Sequence, residues 1–327
     1  MDGKLDAKDR KILYELDKNA RQPAAKIAKK VGLSTDGVNY RIKQLIKKKA
    51  VFKFMMLLDT AKIGLTTYKV FYRLQNTTPQ KENEIISFLS SHSNTQFVAA
   101  AEGAYDLNIN FVASSAEELD NILAQVNNRY GEFIAERQVT IMVKADFFFR
   151  DYLVNKKTGE IRKPMFFGST PAKTELDEKD KKILVILAQD ARMPAVSISG
   201  KIRLSSDAVI KRIRKMENAG IIQNYVLFPN PDEIRYKSYF ILLRFRNLLS
   251  EKEKQFFTYC RLQPNIWFYS KLIGSWDCAI DLDVEDDSQF KEILMSIKKD
   301  FSEILKEYNI LRFTKTYKFN QYPMAEK

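Results

Sequence analysis

The sequence predicts an α+β protein in which one two-part unit is written twice, each time as three helices followed by a βαββαβ segment. Three observations predict it. LDAKDRKILYELDKNARQPAAKIAKKVGLSTDGVNYRI, starting at Leu5, returns from Leu176 as LDEKDKKILVILAQDARMPAVSISGKIRLSSDAVIKRI; a constant offset of 171 aligns them without a gap, with 20 identities in 38 positions. Behind each copy, apolar residues alternate first at the strand period and then at the helix period. The net charge of +13 is concentrated in the helical parts, +8 over residues 1–60 and +4 over residues 171–231.

The helical part reads in order. Asp6 and Asp9 mark a helix start, because carboxylates suit the unpaired amides and positive dipole end there. Ile12, Leu13 and Leu16 follow at helical spacing. Pro23 suits the opening of a second, short helix with Ile27, Ala28 and Val31 inward. Gly32 permits a tight turn, Leu33 plugs it, and Ser34 caps a third helix that buries Val38, Ile42 and Leu45. The second copy repeats this through Ile183, Leu184, Leu187, Ile198, Ile202, Ser205, Val209, Ile213 and Met216. Three helices with a short middle one form a helix-turn-helix.

Burying those residues turns Thr35, Asn39, Tyr40 and Lys43 outward, with Lys47, Lys48 and Lys49 at the helix end. A recognition helix needs short polar groups to reach base edges and cations to meet phosphates. The candidate DNA-binding residues are therefore Ser34, Thr35, Asn39, Tyr40, Arg41, Lys43, Lys47 and Lys48, and in the second copy Ser205, Ser206, Ile210, Lys211, Arg212 and Arg214. Asp36 and Asp207, in the first turn of each third helix, fit the helix dipole better than a phosphate contact. The expected partner is double-stranded DNA, and the clustered charge argues against a merely solvated basic face.

After VFKFMMLL, read as a wing or a connecting strand, Thr67–Leu74, Gln96–Ala101, Leu107–Val112 and Val139–Asp146 read as strands. Gln80–Ser91 and Ser115–Tyr130 read as helices. The order is ferredoxin-like. Strand Tyr68, Val70, Tyr72 and Leu74, with Tyr239, Ile241, Leu243 and Phe245, is expected to be the face through which the two copies cover each other as an intramolecular pseudo-dimer, with further homo-oligomers open. The boundaries are 1–60 and 176–231 for the helix-turn-helix domains, 61–150 and 232–327 for the ferredoxin-like domains, and 151–175 for the connector. In the connector, a hairpin turn is expected at Asn155–Gly159 and a hinge at Gly168–Thr174.

Helix-turn-helix followed by βαββαβ, with GAYD and GSWD between the second and third strands of each sandwich, resembles the Lrp/AsnC family of transcriptional regulators. LDAKDRKIL, ARQPAAKIAKKVGLS and LSSDAVIKRI carry the likeness, which spans nearly the whole chain twice. It implies winged helix-turn-helix DNA-binding domains and ferredoxin-like RAM domains that pair and, in many members, bind an amino acid. Gly103, Tyr105, Asp106, Gly274, Trp276 and Asp277 are then the candidate effector residues. Against this stands a purely structural role: glycine for the turn, an aromatic for packing, and aspartate for turn hydrogen bonds. Members have one copy per chain, so this chain departs by fusing two.

Catalysis finds little support. His92 is the single histidine and is expected at the surface, and no residues call for a metal or cofactor. Siroheme decarboxylases resemble paired chains of this type, yet they rely on His and Arg in the sandwich, where this chain has GAYD and GSWD. A protein-interaction scaffold with degenerate helix-turn-helix units is the third reading. Cys260 and Cys278 lack metal spacing and read as idle thiols. With no secretory signal in MDGKLDAKDRK and no apolar run near ~20 residues, the chain reads as cytoplasmic, with no membrane partner.

Overall fold

The computed structural model describes residues 5–155, 162, 164–168, 174–247 and 249–323. In the first copy, helices α1 (Ala7–Lys18), α2 (Ala24–Val31) and α3 (Thr35–Lys47) precede strand β1 (Val51–Leu58). The sandwich follows as β2 (Thr66–Leu74), α4 (Pro79–Ser91), β3 (Thr95–Gly103), β4 (Leu107–Ala113), α5 (Ala116–Tyr130) and β5 (Ile134–Phe147). A short β6 (Met165–Phe167) leads to the second copy: α6 (Glu178–Gln189), α7 (Ala195–Ile202), α8 (Ser206–Asn218), β7 (Ile222–Pro229), β8 (Lys237–Phe245), α9 (Ser250–Leu262), β9 (Ile266–Gly274), β10 (Cys278–Val284), α10 (Asp287–Asp300) and β11 (Leu305–Phe319).

Local chemistry sets the helix boundaries. The Asp6 carboxylate accepts from the Asp9 amide at 2.7 Å and Ser34 Oγ from the Gly37 amide at 3.0 Å. Asp177 and Ser205 repeat these caps on Asp180 and Ala208. Pro23 sits one residue before its helix, as the cap. Gly32 ends α2 at φ +66°. Its equivalent, Arg203, takes the same left-handed conformation at φ +54°, which costs a side-chain-bearing residue about 1 kcal/mol or more.

β1 neither forms a wing hairpin nor runs alone. It pairs antiparallel with β7, and the register places Met55 opposite its own counterpart Val226, so the pseudo-twofold axis passes through that pair. The ribbon exchanges packing between the copies. Val226, Leu227 and Phe228 join the core of α1–α3, whereas Met56 and Leu58 join the core of α6–α8.

In each copy the strands alternate cleanly. Tyr68, Val70, Tyr72, Ile109 and Phe111 pack under α4 and α5; Tyr239, Ile241, Leu243 and Phe245 pack with the second copy's helices. The expectation that these residues form the face between the copies is therefore corrected. Both faces of β2 and β8 are largely buried, and period two alone does not say which one meets the helices. The copies meet instead through the opposite faces and through their edges. β5 pairs with β2 and then with β9, while β11 pairs with β8 and then with β3. Since β2 also pairs with β4, eight strands close into a ring, and β6 continues along β5. β5 and β11 are longer than the alternation suggested because each serves both copies.

One end of this barrel is plugged by Phe71, Tyr105, Phe240, Leu242, Leu272, Trp276 and Leu311. The other end, beneath the ribbon, holds a cavity of about 500 Å³ that is partly open to solvent. The first helical unit is also latched to the barrel. Arg150 Nη1 donates to Asp17 Oδ1 at 2.6 Å, its amide donates to Asp17 Oδ2 at 2.7 Å, and Tyr152 donates to Asp283 at 2.5 Å. Ala188 and Gln321 stand at the equivalent places in the second copy and cannot repeat the ion pair.

The connector differs from expectation. Asp151–Val154 is a 3₁₀ turn with Asn155 left-handed, not the strand of a hairpin; residues 156–161 lie outside the described residues. Gly168 is tightly held, its amide bonded to Asp59 at 3.0 Å, and residues 169–173 of the expected hinge lie outside the described residues. Cys260 and Cys278 are buried free thiols. Among the described residues, no helix is long and apolar enough to cross a membrane.

Candidate nucleic-acid interface

The third helices present the residues that their spacing turned outward. Thr35, Asp36, Asn39, Tyr40, Lys43, Lys47, Lys48 and Lys49 are exposed, with Tyr40 at 64%. On α8, Lys211, Arg214 and Lys215 are exposed, while Ser206 and Ile210 are half-buried. Ser34 and Ser205 spend their hydroxyl lone pairs on the helix caps. Ser206 Oγ lies 3.3 Å from Ser199 Oγ on the helix before it.

Arg41 and Arg212 are otherwise engaged. Arg41 Nη1 lies 2.7 Å from both Asp6 and Asp9, tying α3 to the start of α1. Arg212 does the same with Asp177 at 2.6 Å and Asp180 at 2.8 Å. Hydrogen bonds to these carboxylates raise both guanidinium pKa values. The V-x-x-R-I motif thus carries an arginine engaged between helices, and the cations left exposed on α3 are lysines.

Lys26 and Lys29, exposed on α2, were not among the candidate residues. They extend the basic surface beside α3; their counterparts Ser197 and Gly200 do not, which accounts for part of the charge difference between the units. Their helical spacing of three was the signal that could have marked them.

The candidate effector turns lie at the plugged end of the barrel. Tyr105 and Trp276 are buried in the plug, and Trp276 Nε1 donates to Gln138 at 3.0 Å. Asp106 accepts from the Leu74 amide at 2.7 Å and Asp277 from the Phe245 amide at 2.6 Å. Gly103 and Gly274, both at φ +130°, lie against the other copy's strand. A Cβ there would meet Ile310 O at 2.2 Å and Val139 O at 3.0 Å, respectively. His92 is half-buried rather than on the surface: it caps α4, with its ring 6.1 Å from Phe111, and burial followed by the Lys318 charge pushes its pKa down.

Two helix-turn-helix units with exposed basic third helices, carried on one barrel, define a DNA-binding regulator. The AsnC-type helix-turn-helix domain matches residues 5–46 and again 176–217. An HTH-type transcriptional regulator of Pyrococcus horikoshii is 32% identical over 120 residues, covering 36% of this chain and 80% of the relative. The DNA-binding transcriptional activator DecR of Escherichia coli is 25% identical over 118 residues, 36% of this chain and 78% of that one. The chain belongs to the Lrp/AsnC family of helix-turn-helix transcriptional regulators. In overall fold it also matches the siroheme decarboxylase NirDL at a TM-score of 0.61, over 97% of this chain and 96% of that one. At 12% identity that likeness speaks to the fold alone.

Proposed function

We propose that this regulator reads one DNA site with two unlike hands, α3 on one half and α8 on the other. The observation that carries it is the Met55–Val226 pairing, which relates two recognition helices by pseudo-twofold symmetry within a single chain. Their outward residues differ. Asn39 suits paired hydrogen bonds to adenine, whereas Ile210 offers only an apolar contact; Lys43 becomes Arg214, which can grip guanine or phosphate in bidentate fashion. Good bidentate base contacts discriminate by ~1–3 kcal/mol, enough to make the half-sites differ. Selection from a random DNA pool tests this, with Asn39→Ala relaxing one half-site only. A perfectly palindromic site, or a change in both halves, refutes the division.

The reading extends to a small-molecule effector such as an amino acid, sought first at the turns around Gly103–Asp106 and Gly274–Asp277, where the copies differ at Tyr105 and Trp276. It assigns the chain no catalytic step. The one histidine lies at the end of α4 and does not line the cavity. An absorption spectrum of the purified protein that revealed a bound tetrapyrrole would overturn this part.

A further inference from the structure

The cavity beneath the ribbon is built like a receptor. Close-packed interiors hold few voids larger than a water molecule, and about 500 Å³ falls in the range of small-molecule pockets. Three of its polar groups have no hydrogen-bond partner among the described residues. Lys69 is 3% exposed, and no hydrogen bond or ion pair to its ammonium is found among the described residues. The ammonium rests 5.0 Å from the Phe240 ring and 5.8 Å from the Phe268 ring. Asn108, 1% exposed, and Asn110 each leave a side-chain oxygen unbonded. A buried ammonium and two amide oxygens without hydrogen-bond partners are costly unless something else occupies the space.

Comparison across the pseudo-twofold axis narrows the occupant. Lys69, Gln96 and Asn108 in the first copy stand where the second copy has Phe240, Trp267 and Ala279. A symmetric homodimer would present every group twice; this cavity has a polar side and an aromatic side. The charged residues lining it are Lys49, Lys69, Lys315, Asp232 and Asp281, a positive balance. Burial pushes the Lys69 pKa down and holds the Asp281 carboxyl up at about 7, while each charge favours the other.

We propose that this cavity is a binding site for a small planar aromatic carboxylate. The carboxylate pairs with Lys69, ring substituents bond Asn108 and Asn110, and the ring lies among Phe228, Trp267 and Phe268. The wall facing the helical units is made by Lys49, directly after α3, with Phe52 of β1 and Phe228 of β7. An occupant therefore bears on the ribbon that sets α3 against α8. This consequence for DNA rests on the reading above; the site itself does not.

The test uses the full chain and 2-naphthoate, with neutral 2-naphthamide as its uncharged match, read by tryptophan fluorescence in a Trp276→Phe background so that Trp267 reports alone. One saturable site per chain is expected, at least tenfold tighter for naphthoate. Lys69→Met should abolish that preference while leaving naphthamide binding in place. On the unaltered protein, naphthoate should slow amide hydrogen exchange in β1 and β7 and leave α9 and α10 unchanged, which keeps the test open even if the variant does not fold. Absence of saturable binding, a charge preference that survives Lys69→Met, or protection confined to other elements overturns the proposal. The titration contains no DNA, so its failure and a failure of the regulator reading are separate results.

Discussion

Gly103 shows how one residue constrains both copies. Its φ of +130° already disfavours a side chain, and the Ile310 carbonyl stands 2.2 Å from where a Cβ would lie. Gly103→Ala forces β11 away from β3, so strain and overpacking together should cost roughly 3 kcal/mol or more. Gly274→Ala meets Val139 O at 3.0 Å and should cost less. Urea denaturation of the two variants settles the order, and equal losses would contradict this account. Asp281 makes a second residue-scale case. Burial raises its pKa from 3.8 to about 7, so between those values the unfolded chain binds fewer protons than the folded one. Stability contributed at low pH is therefore lost as pH rises through about 7. Asp281→Asn should raise the melting temperature more at pH 8 than at pH 5. A gain of the same size at both would mean that the carboxyl titrates normally.

At the scale of elements, α3 is expected to divide its cations by task. Lys47, Lys48 and Lys49 are exposed at its end, and changing all three to Ala should flatten the salt dependence of DNA binding by ~0.9 in slope for each true phosphate contact. Arg41→Ala should leave that slope alone and instead cost about 0.5–1 kcal/mol of stability, since its ion pairs join α3 to α1. Salt titrations by fluorescence anisotropy distinguish the two, and a slope lowered by Arg41→Ala would return that residue to the DNA. The same helix shows what local sequence makes legible. The buried Val38, Ile42 and Leu45, the Ser34 cap and the outward lysines all follow from spacing within one element. The strands were legible as strands, yet their inner and outer faces were not. Lys69 sits in an alternating apolar run, and nothing within ten residues of it says that Phe240 and Phe268 wait on the other side. The ribbon, the ring closure and the cavity arise from pairings between the copies, which no local period encodes.

At the scale of the molecule, the copies are woven rather than stacked. β5 and β11 each run on from their own sandwich into the other, so each sandwich has its own four strands but relies on the other copy to cover its edges. A first half comprising residues 1–168 should therefore dimerise or aggregate at micromolar concentration, because the β3 and β5 edges are left open. Sedimentation that found a stable monomer would contradict the weave. The same feature shapes the molecule's birth on the ribosome. When β3 emerges, its partner β11 lies ~200 residues downstream, ~10–40 s of synthesis at ordinary rates. During that interval the first half carries open strand edges that match those of every first half growing on neighbouring ribosomes. Fusing two copies makes the right partner inevitable only once the chain is finished; until then, its rival is another copy of itself.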